Sequence, residues 1–249
     1  SLEVAKLAGV SQSAVSRVFT PGASASKKTG EKVRKAAMEL GYRPNVLARS
    51  LITGRSRIIG LVVAHLDNYF YPEALELISN ALQKKGYHVL VFMASKTSGN
   101  IDDVVDEILD YQVDGIILAS VAMSSSLASR CTSAGVPVIL FNRSQDDDSF
   151  SAITSDNILG GQKVARFLIA GGHKRIGYIA GWEGASTQRD RETGFVEELK
   201  QHGMSLHARE VGNFIQDEAR QAARKMFTAN EIPDAVFVAS DHMAFAVMD

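Results

Sequence analysis

Glu3-Val-Ala-Lys-Leu-Ala-Gly-Val-Ser-Gln-Ser-Ala-Val-Ser-Arg-Val-Phe19 reads as two short helices joined by a tight turn. Val4, Ala5 and Ala8 share one side of the first. Gly9 stands where the backbone must reverse, and without a Cβ it can take the left-handed conformation that ends a helix. Ser11 then reads as the N-cap of the second helix, its hydroxyl accepting from the unpaired amides of the first turn. Val15 and Val18 recur at the helical repeat and point inward, which leaves Gln12, Ser13, Ser16 and Arg17 outward. A small, polar, basic face on the second helix of such a pair suits a DNA major groove. Taken alone, the stretch also reads as an ordinary αα-hairpin.

Residues 26–45 supply a third helix that Ser26 or Thr29 can cap. Val33, Ala36, Ala37 and Leu40 form its inner stripe and Gly41 ends it. Asn45 then caps a segment of one to two turns that runs to Gly54. Charge divides at the same place. Residues 1–57 carry a net +8 and the remainder a net −9, although the whole chain stands at −1. A basic head on an acidic body is the footprint of a polyanion binder that has a second, separate task.

Val4-Ala5, Ala8-Gly-Val-Ser11, Val15-Ser-Arg17, Lys32-Val33, Gly41-Tyr-Arg-Pro-Asn45 and Ala48-Arg-Ser-Leu51 recur at matched spacings. On these residues the sequence closely resembles the LacI/GalR family of bacterial transcription regulators. The resemblance implies that Gln12, Ser13 and Arg17 read base edges, and Arg17 has the fork geometry to pair with guanine. Thr20, Ser26 and Thr29, with the amides at helix starts, suit phosphate contacts. In the family, the segment from Asn45 folds as a hinge helix on operator DNA. There the residue aligned with Leu51 wedges into a base step of the minor groove, and the one aligned with Ala48 lets the two hinge helices approach.

Beyond the linker 53–57 the pattern changes. Ile58-Ile-Gly-Leu-Val-Val-Ala64 is a continuous apolar run, as in a strand buried on both faces. Helices are expected at 72–85, 101–111 and around 127–134, with strands at 88–92, 115–119 and 136–141 between them. A turn at Asp146-Asp-Asp-Ser149 reads as the junction of two lobes. The alternation restarts with helices at 158–170, 187–202 and 216–229, strands at 175–180, 209–211 and 235–239, and a last helix opening at Asp241. Short apolar strands alternating with amphipathic helices specify parallel sheets wrapped by helices.

The expected fold is therefore α/β: a helix-turn-helix three-helix head (1–44), a hinge helix and linker (45–57), and a two-lobed body of parallel sheets. The body is divided into a first lobe at 58–148 and a second at 149–249. The resemblance implies that this body is like the periplasmic sugar-binding proteins and holds an effector between its lobes. In the family the chain crosses between lobes three times, so a chain ending after one crossing reads as a C-terminal truncation with an incomplete second lobe. Its opening at Ser1 without Met likewise reads as missing a few leading residues.

In open α/β sheets ligands bind beyond the carboxyl ends of strands, and the candidates there are Asn68, Tyr69 and Phe70 after the first strand, Asn142-Arg143 after the fourth, and Asp156, Arg189 and Asp241 in the second lobe. The family places effector contacts at positions aligned with Phe70, Asn142, Asp156, Arg189 and Asp241. Carboxylates and an Arg fork match paired sugar hydroxyls, and an aromatic face suits the ring. Asp156 and Asp241 read equally well as helix caps, and Phe70 as core. The Asn68-Tyr-Phe-Tyr-Pro72 run departs from the commoner Asn-Pro-Phe-Phe pattern.

Enzymatic readings find no support. Neither G-x-G-x-x-G nor a Walker-type loop occurs. The six histidines lack metal-ligand spacing, and Cys131, the single cysteine, has no nearby histidine in sequence. No cofactor and no metal are expected. One cysteine, no visible signal peptide and no membrane-length apolar run suit a cytoplasmic protein. The expected partners are a pseudo-palindromic double-stranded operator, a small polar effector such as a sugar or sugar derivative, and a second copy in a homodimer. A solute-binding transport protein is the rival class, which the basic head disfavours. A sugar-modifying α/β enzyme is the other, and no residue set predicts turnover.

Overall fold

The computed structural model of the protein describes residues 1–20, 22–43, 54–64, 66, 68–94, 101–121, 125–145 and 150–249. The chain divides into two compact units, Ser1–Ser56 and Arg57–Asp249.

In the first unit, α1 (Leu2–Ala8), α2 (Gln12–Phe19) and α3 (Lys27–Glu39) enclose a small core. Val4, Ala5, Ala8, Val15, Val33, Ala36 and Ala37 are its buried members, with Val10, Val18, Phe19 and Tyr42 packed around them. Gly9 closes α1 at φ 64°, its amide donating to the carbonyls of Ala5 and Lys6. Leu40, expected on the inner stripe of α3, is 44% exposed because the helix stops at Glu39 and Leu40 serves as its cap.

The second unit holds two all-parallel sheets. The first has the order β2-β1-β3-β4-β5, from β1 (Ile58–Val63), β2 (His88–Met93), β3 (Gly115–Ala119), β4 (Val138–Phe141) and β5 (Ser151–Ile153). Between them run α4 (Phe70–Lys84), α5 (Ile101–Asp110) and α6 (Ser125–Ser133). The apolar run of β1 has its physical reason here, since both its faces are covered. Val62 packs with Ile108, Ile116, Leu118 and Leu140, while Leu61 and Val63 pack with Tyr71 and Ala119 on the opposite side.

β5 corrects the expected lobe division. Leu140 stands in register with Ala152 and Phe141 with Ile153, so the first sheet extends past 148. The strand is three residues long and all three are exposed, which leaves no apolar run to announce it. Helix α4 also starts earlier than expected, at Phe70 rather than Pro72. Asn68 Oδ1 accepts from the amides of Phe70 (3.1 Å) and Tyr71 (3.2 Å) and so fixes its first turn.

The second sheet has the order β7-β6-β8, from β6 (Ile176–Ala180), β7 (Ala208–Val211) and β8 (Ala235–Val238). α7 (Asn157–Ala170), α8 (Ser186–Gln201), α9 (Gln216–Phe227) and α10 (Asp241–Met248) cover it. Tyr178 and Phe195 are fully buried and stack at 5.7 Å between centroids, and Phe237 packs against both rings. Each such side chain contributes about 1.5–3 kcal/mol through burial. α7 and α8 touch backbone to backbone. A Cβ on Gly161 would overlap the carbonyl of Arg191, and one on Gly194 that of Ile158. No described helix is long and apolar enough to cross a membrane.

Candidate functional site

The head presents its polar residues on α2. Ser11 caps that helix by accepting from the Ala14 amide at 3.2 Å, and its hydroxyl also meets that of Ser13 at 2.9 Å. Burial of Val15 fixes the rotation of the helix, and Gln12, Ser13, Ser16 and Arg17 are all exposed. The Gln12 amide donates to Ser1 Oγ at 2.9 Å. Thr20 is half-buried and donates its hydroxyl to the Ser16 carbonyl at 2.8 Å. Ser26, rather than Thr29, caps α3, accepting from the Thr29 amide at 3.1 Å while the two hydroxyls meet at 2.8 Å. The expected hinge residues Asn45, Ala48 and Leu51 lie outside the described residues.

In the second unit the expected effector residues follow the carboxyl ends of strands, where a parallel sheet leaves its crevice. Phe70 and Asn142 come together through their neighbours. Phe70 is 48% exposed, so it is not core. It stacks on Phe141 at 6.0 Å and 8° and meets Tyr71 edge-on at 5.1 Å. Asn142 donates to the Tyr71 hydroxyl at 2.9 Å and adopts φ 58°, a left-handed conformation that asparagine tolerates. Its amide donates to the Ile153 carbonyl at 2.8 Å.

Asp156 accepts from the Leu159 amide at 2.9 Å, capping α7 with one of its two oxygens. Asp241 is not a cap. Ser240 fills that role for α10, and Asp241 is the exposed first residue of the helix. Arg189 is exposed on α8. The arginine held at the end of β8 is Arg191, whose Nη1 donates to the Ala239 carbonyl at 2.6 Å and whose Nε donates to Asn157 Oδ1 at 2.9 Å. The two arginines share one helical turn, and the packing of α7 on α8 turns Arg191 toward β8.

Where the two sheets meet, Ser144 donates its amide to Ser186 Oγ at 2.9 Å. The Arg143 guanidinium lies 4.9 Å from the centroid of the Trp182 ring. Arg143 is 8% exposed, and burial holds its pKa below the ordinary arginine value. Behind this junction, buried Gln188 accepts from the Tyr178 hydroxyl at 3.0 Å and from the Gly181 amide at 2.8 Å. It donates onward to Glu192 at 2.8 Å, which also pairs with Arg209. Burial pushes the Tyr178 phenol well above its ordinary value, so it remains a donor. Burial likewise raises the Cys131 thiol, which therefore stays protonated inside the first core. Among the described residues no His, Cys, Asp or Glu group could hold a metal ion.

Residues 2–45 match the family of bacterial regulatory proteins of the lacI type. Residues 56–248 match the periplasmic binding proteins and sugar binding domain of the LacI family. The chain is 33% identical over 255 residues to the HTH-type transcriptional regulator CelR of Thermobifida fusca, covering 98% of this chain and 74% of that protein. It is 28% identical over 249 residues to the HTH-type transcriptional repressor PurR of Vibrio vulnificus (strain CMCP6), covering 99% and 75%. A crystal structure of the lac repressor dimer bound to operator and the anti-inducer ONPF superposes with a TM-score of 0.88, at 28% identity over 100% of this chain and 76% of that chain. A complex of the transcriptional regulator CelR with cellobiose gives 0.70, at 32% identity over 99% and 75%. These relatives regulate transcription and are not enzymes. With both segments matched, the chain belongs to the LacI family, as a transcriptional regulator that joins a helix-turn-helix head to a body of the periplasmic-binding-protein type.

Proposed function

We propose that the protein is a homodimeric, cytoplasmic repressor that reads a pseudo-palindromic operator and is released or recruited by a small polar effector, a sugar or sugar derivative. The observation that carries this reading is the exposed polar face of α2. A Ser11-capped helix there offers Gln12, Ser13, Ser16 and Arg17 together, above a core that fixes its rotation. These four would enter the major groove, with Thr20, Ser26 and Thr29 at phosphates. Asn45, Ala48 and Leu51 would form the hinge in the minor groove. In the body, Phe70, Asn142 and Asp156 would meet the effector together with Asp241 and an arginine of α8. Arg191, whose guanidinium lies at the end of β8, is a candidate for that role beside Arg189. The dimer and operator reading draws on the likeness to the lac repressor complex, and the sugar on the likeness to the CelR–cellobiose complex. The single buried thiol suits a reducing compartment.

Effector control requires different affinities for two states of the body, coupled to the spacing of the two hinges. Selection from randomised duplex DNA, followed by anisotropy titration at several salt concentrations, tests the head. A pseudo-palindrome with a steep negative salt slope is the expected result. An asymmetric site, or no enrichment with and without a metabolite mixture, would overturn it.

A further inference from the structure

We propose that the effector carries an anionic group, a phosphate or a carboxylate, and that Arg143 is the residue that reads it. This rests on the crevice reading above and names the chemistry of its ligand.

Arg143 follows the carboxyl end of β4, and the ring it lies against, Trp182, follows that of β6. The guanidinium thus stands where the open ends of both sheets converge. Only 8% of the residue is exposed. Among the described residues its hydrogen bond runs from Nη2 to Ser120 Oγ at a long 3.4 Å. Nε is buried and has no acceptor among the described residues.

A guanidinium presents five N–H donors in its plane. Trp182 offers them a ring at 4.9 Å but no anionic acceptor. Other arginines of the body are differently placed, among them half-buried Arg220, which pairs with Asp217 and Asp249. Arg209 pairs with Glu192 and Glu183, and Arg191 is held by Asn157 and the Ala239 carbonyl. At Arg143 no described carboxylate lies within ion-pair reach. With no counter-charge among the described residues, removing this charge from water is costly, so such a site favours a ligand that brings one. A carboxylate or phosphate accepts two parallel N–H bonds from a guanidinium edge, and the Nε–H that no described residue accepts is available for one of them. A neutral sugar hydroxyl supplies an acceptor but no charge.

The test uses the full chain and calorimetric titration at constant ionic strength with inorganic phosphate, glucose 6-phosphate, glucuronate and glucose. Wild type is compared with Arg143→Gln and Arg143→Lys, each first shown by circular dichroism to be folded. At least one acidic probe is expected to bind wild type tenfold or more tightly than glucose. Arg143→Gln should lose about tenfold or more of that preference, and Arg143→Lys should keep part of it. Glucose 6-phosphate against glucuronate separates the two anion sources. Inorganic phosphate binding that Arg143→Gln abolishes, with no sugar bound, upholds the anion site and removes the sugar reading. Glucose binding as tightly as the acidic probes, or a preference unchanged in Arg143→Gln, overturns the anion site while the effector crevice stands. No binding of phosphate or of either acidic sugar to wild type also overturns it.

Discussion

The carbonyl oxygen of Arg191 occupies the space that a Cβ on Gly161 would need, so α7 and α8 meet there without side chains between them. The same approach brings Arg191 beside Asn157, which receives its Nε–H. Gly161→Ala must therefore push the helices apart. The expected cost is about 1–3 kcal/mol in urea denaturation. A variant as stable as wild type would show that the two helices part without strain.

Arg17 is exposed on α2 and carries the fork that matches guanine. Arg17→Ala should weaken binding to the selected operator by about 1–3 kcal/mol and relax base choice at one position of each half-site. A loss uniform across sequences would reassign the residue to the phosphate backbone. Fluorescence anisotropy with a set of single-base operator variants distinguishes the two.

Glu198 on α8 is buried and receives a hydrogen bond from Arg166 Nη2 on α7 at 2.8 Å. That bond holds its carboxyl below the ordinary range, against the opposing effect of burial. A carboxylate depressed in the folded state stabilises it above the unfolded pKa of about 4.3, and that stability is lost as pH falls through the folded value. Glu198→Gln should thus be less stable than wild type near neutral pH, with the gap closing in acid. Denaturant titrations across that range check it, and a gap independent of pH would refute the ionic role.

Gln188 is the hub of a buried network, accepting from Tyr178 and Gly181 and donating to Glu192. Gln188→Ala strands the phenol and the amide together. Each unsatisfied buried group costs about 1–3 kcal/mol, so a loss of several kcal/mol is expected in thermal or urea unfolding. Tyr178→Phe removes one donor and leaves the amide bond intact, and should cost less.

The features legible in the sequence were those with a local signature. Gly9, Ser11 and the Val15–Val18 spacing announce α2 and its outward face, because capping and periodicity act within a few residues. The apolar run of β1 likewise declares its own double burial. β5 was not legible, since Ser151–Ile153 becomes a strand only by pairing with β4. The choice between Arg189 and Arg191 depends on helix packing at Gly161, which no periodicity records. Leu40 looked like a core residue because the stripe continues one position beyond the end of the helix. Gln188 is a polar residue buried by contacts distant in sequence, and its type alone would place it at the surface; Arg143 was legible as a residue following the fourth strand, but its burial was not.

The placement of Trp182 under the Arg143 guanidinium has a practical consequence, because the chain contains no other tryptophan. Indole emission shifts in wavelength and intensity with nearby charge and water. Light absorbed by that one ring therefore reports on the junction of the two sheets and on nothing else in the molecule. The protein carries a native fluorophore at that junction, and binding of the proposed effector there would be followed in real time without a label.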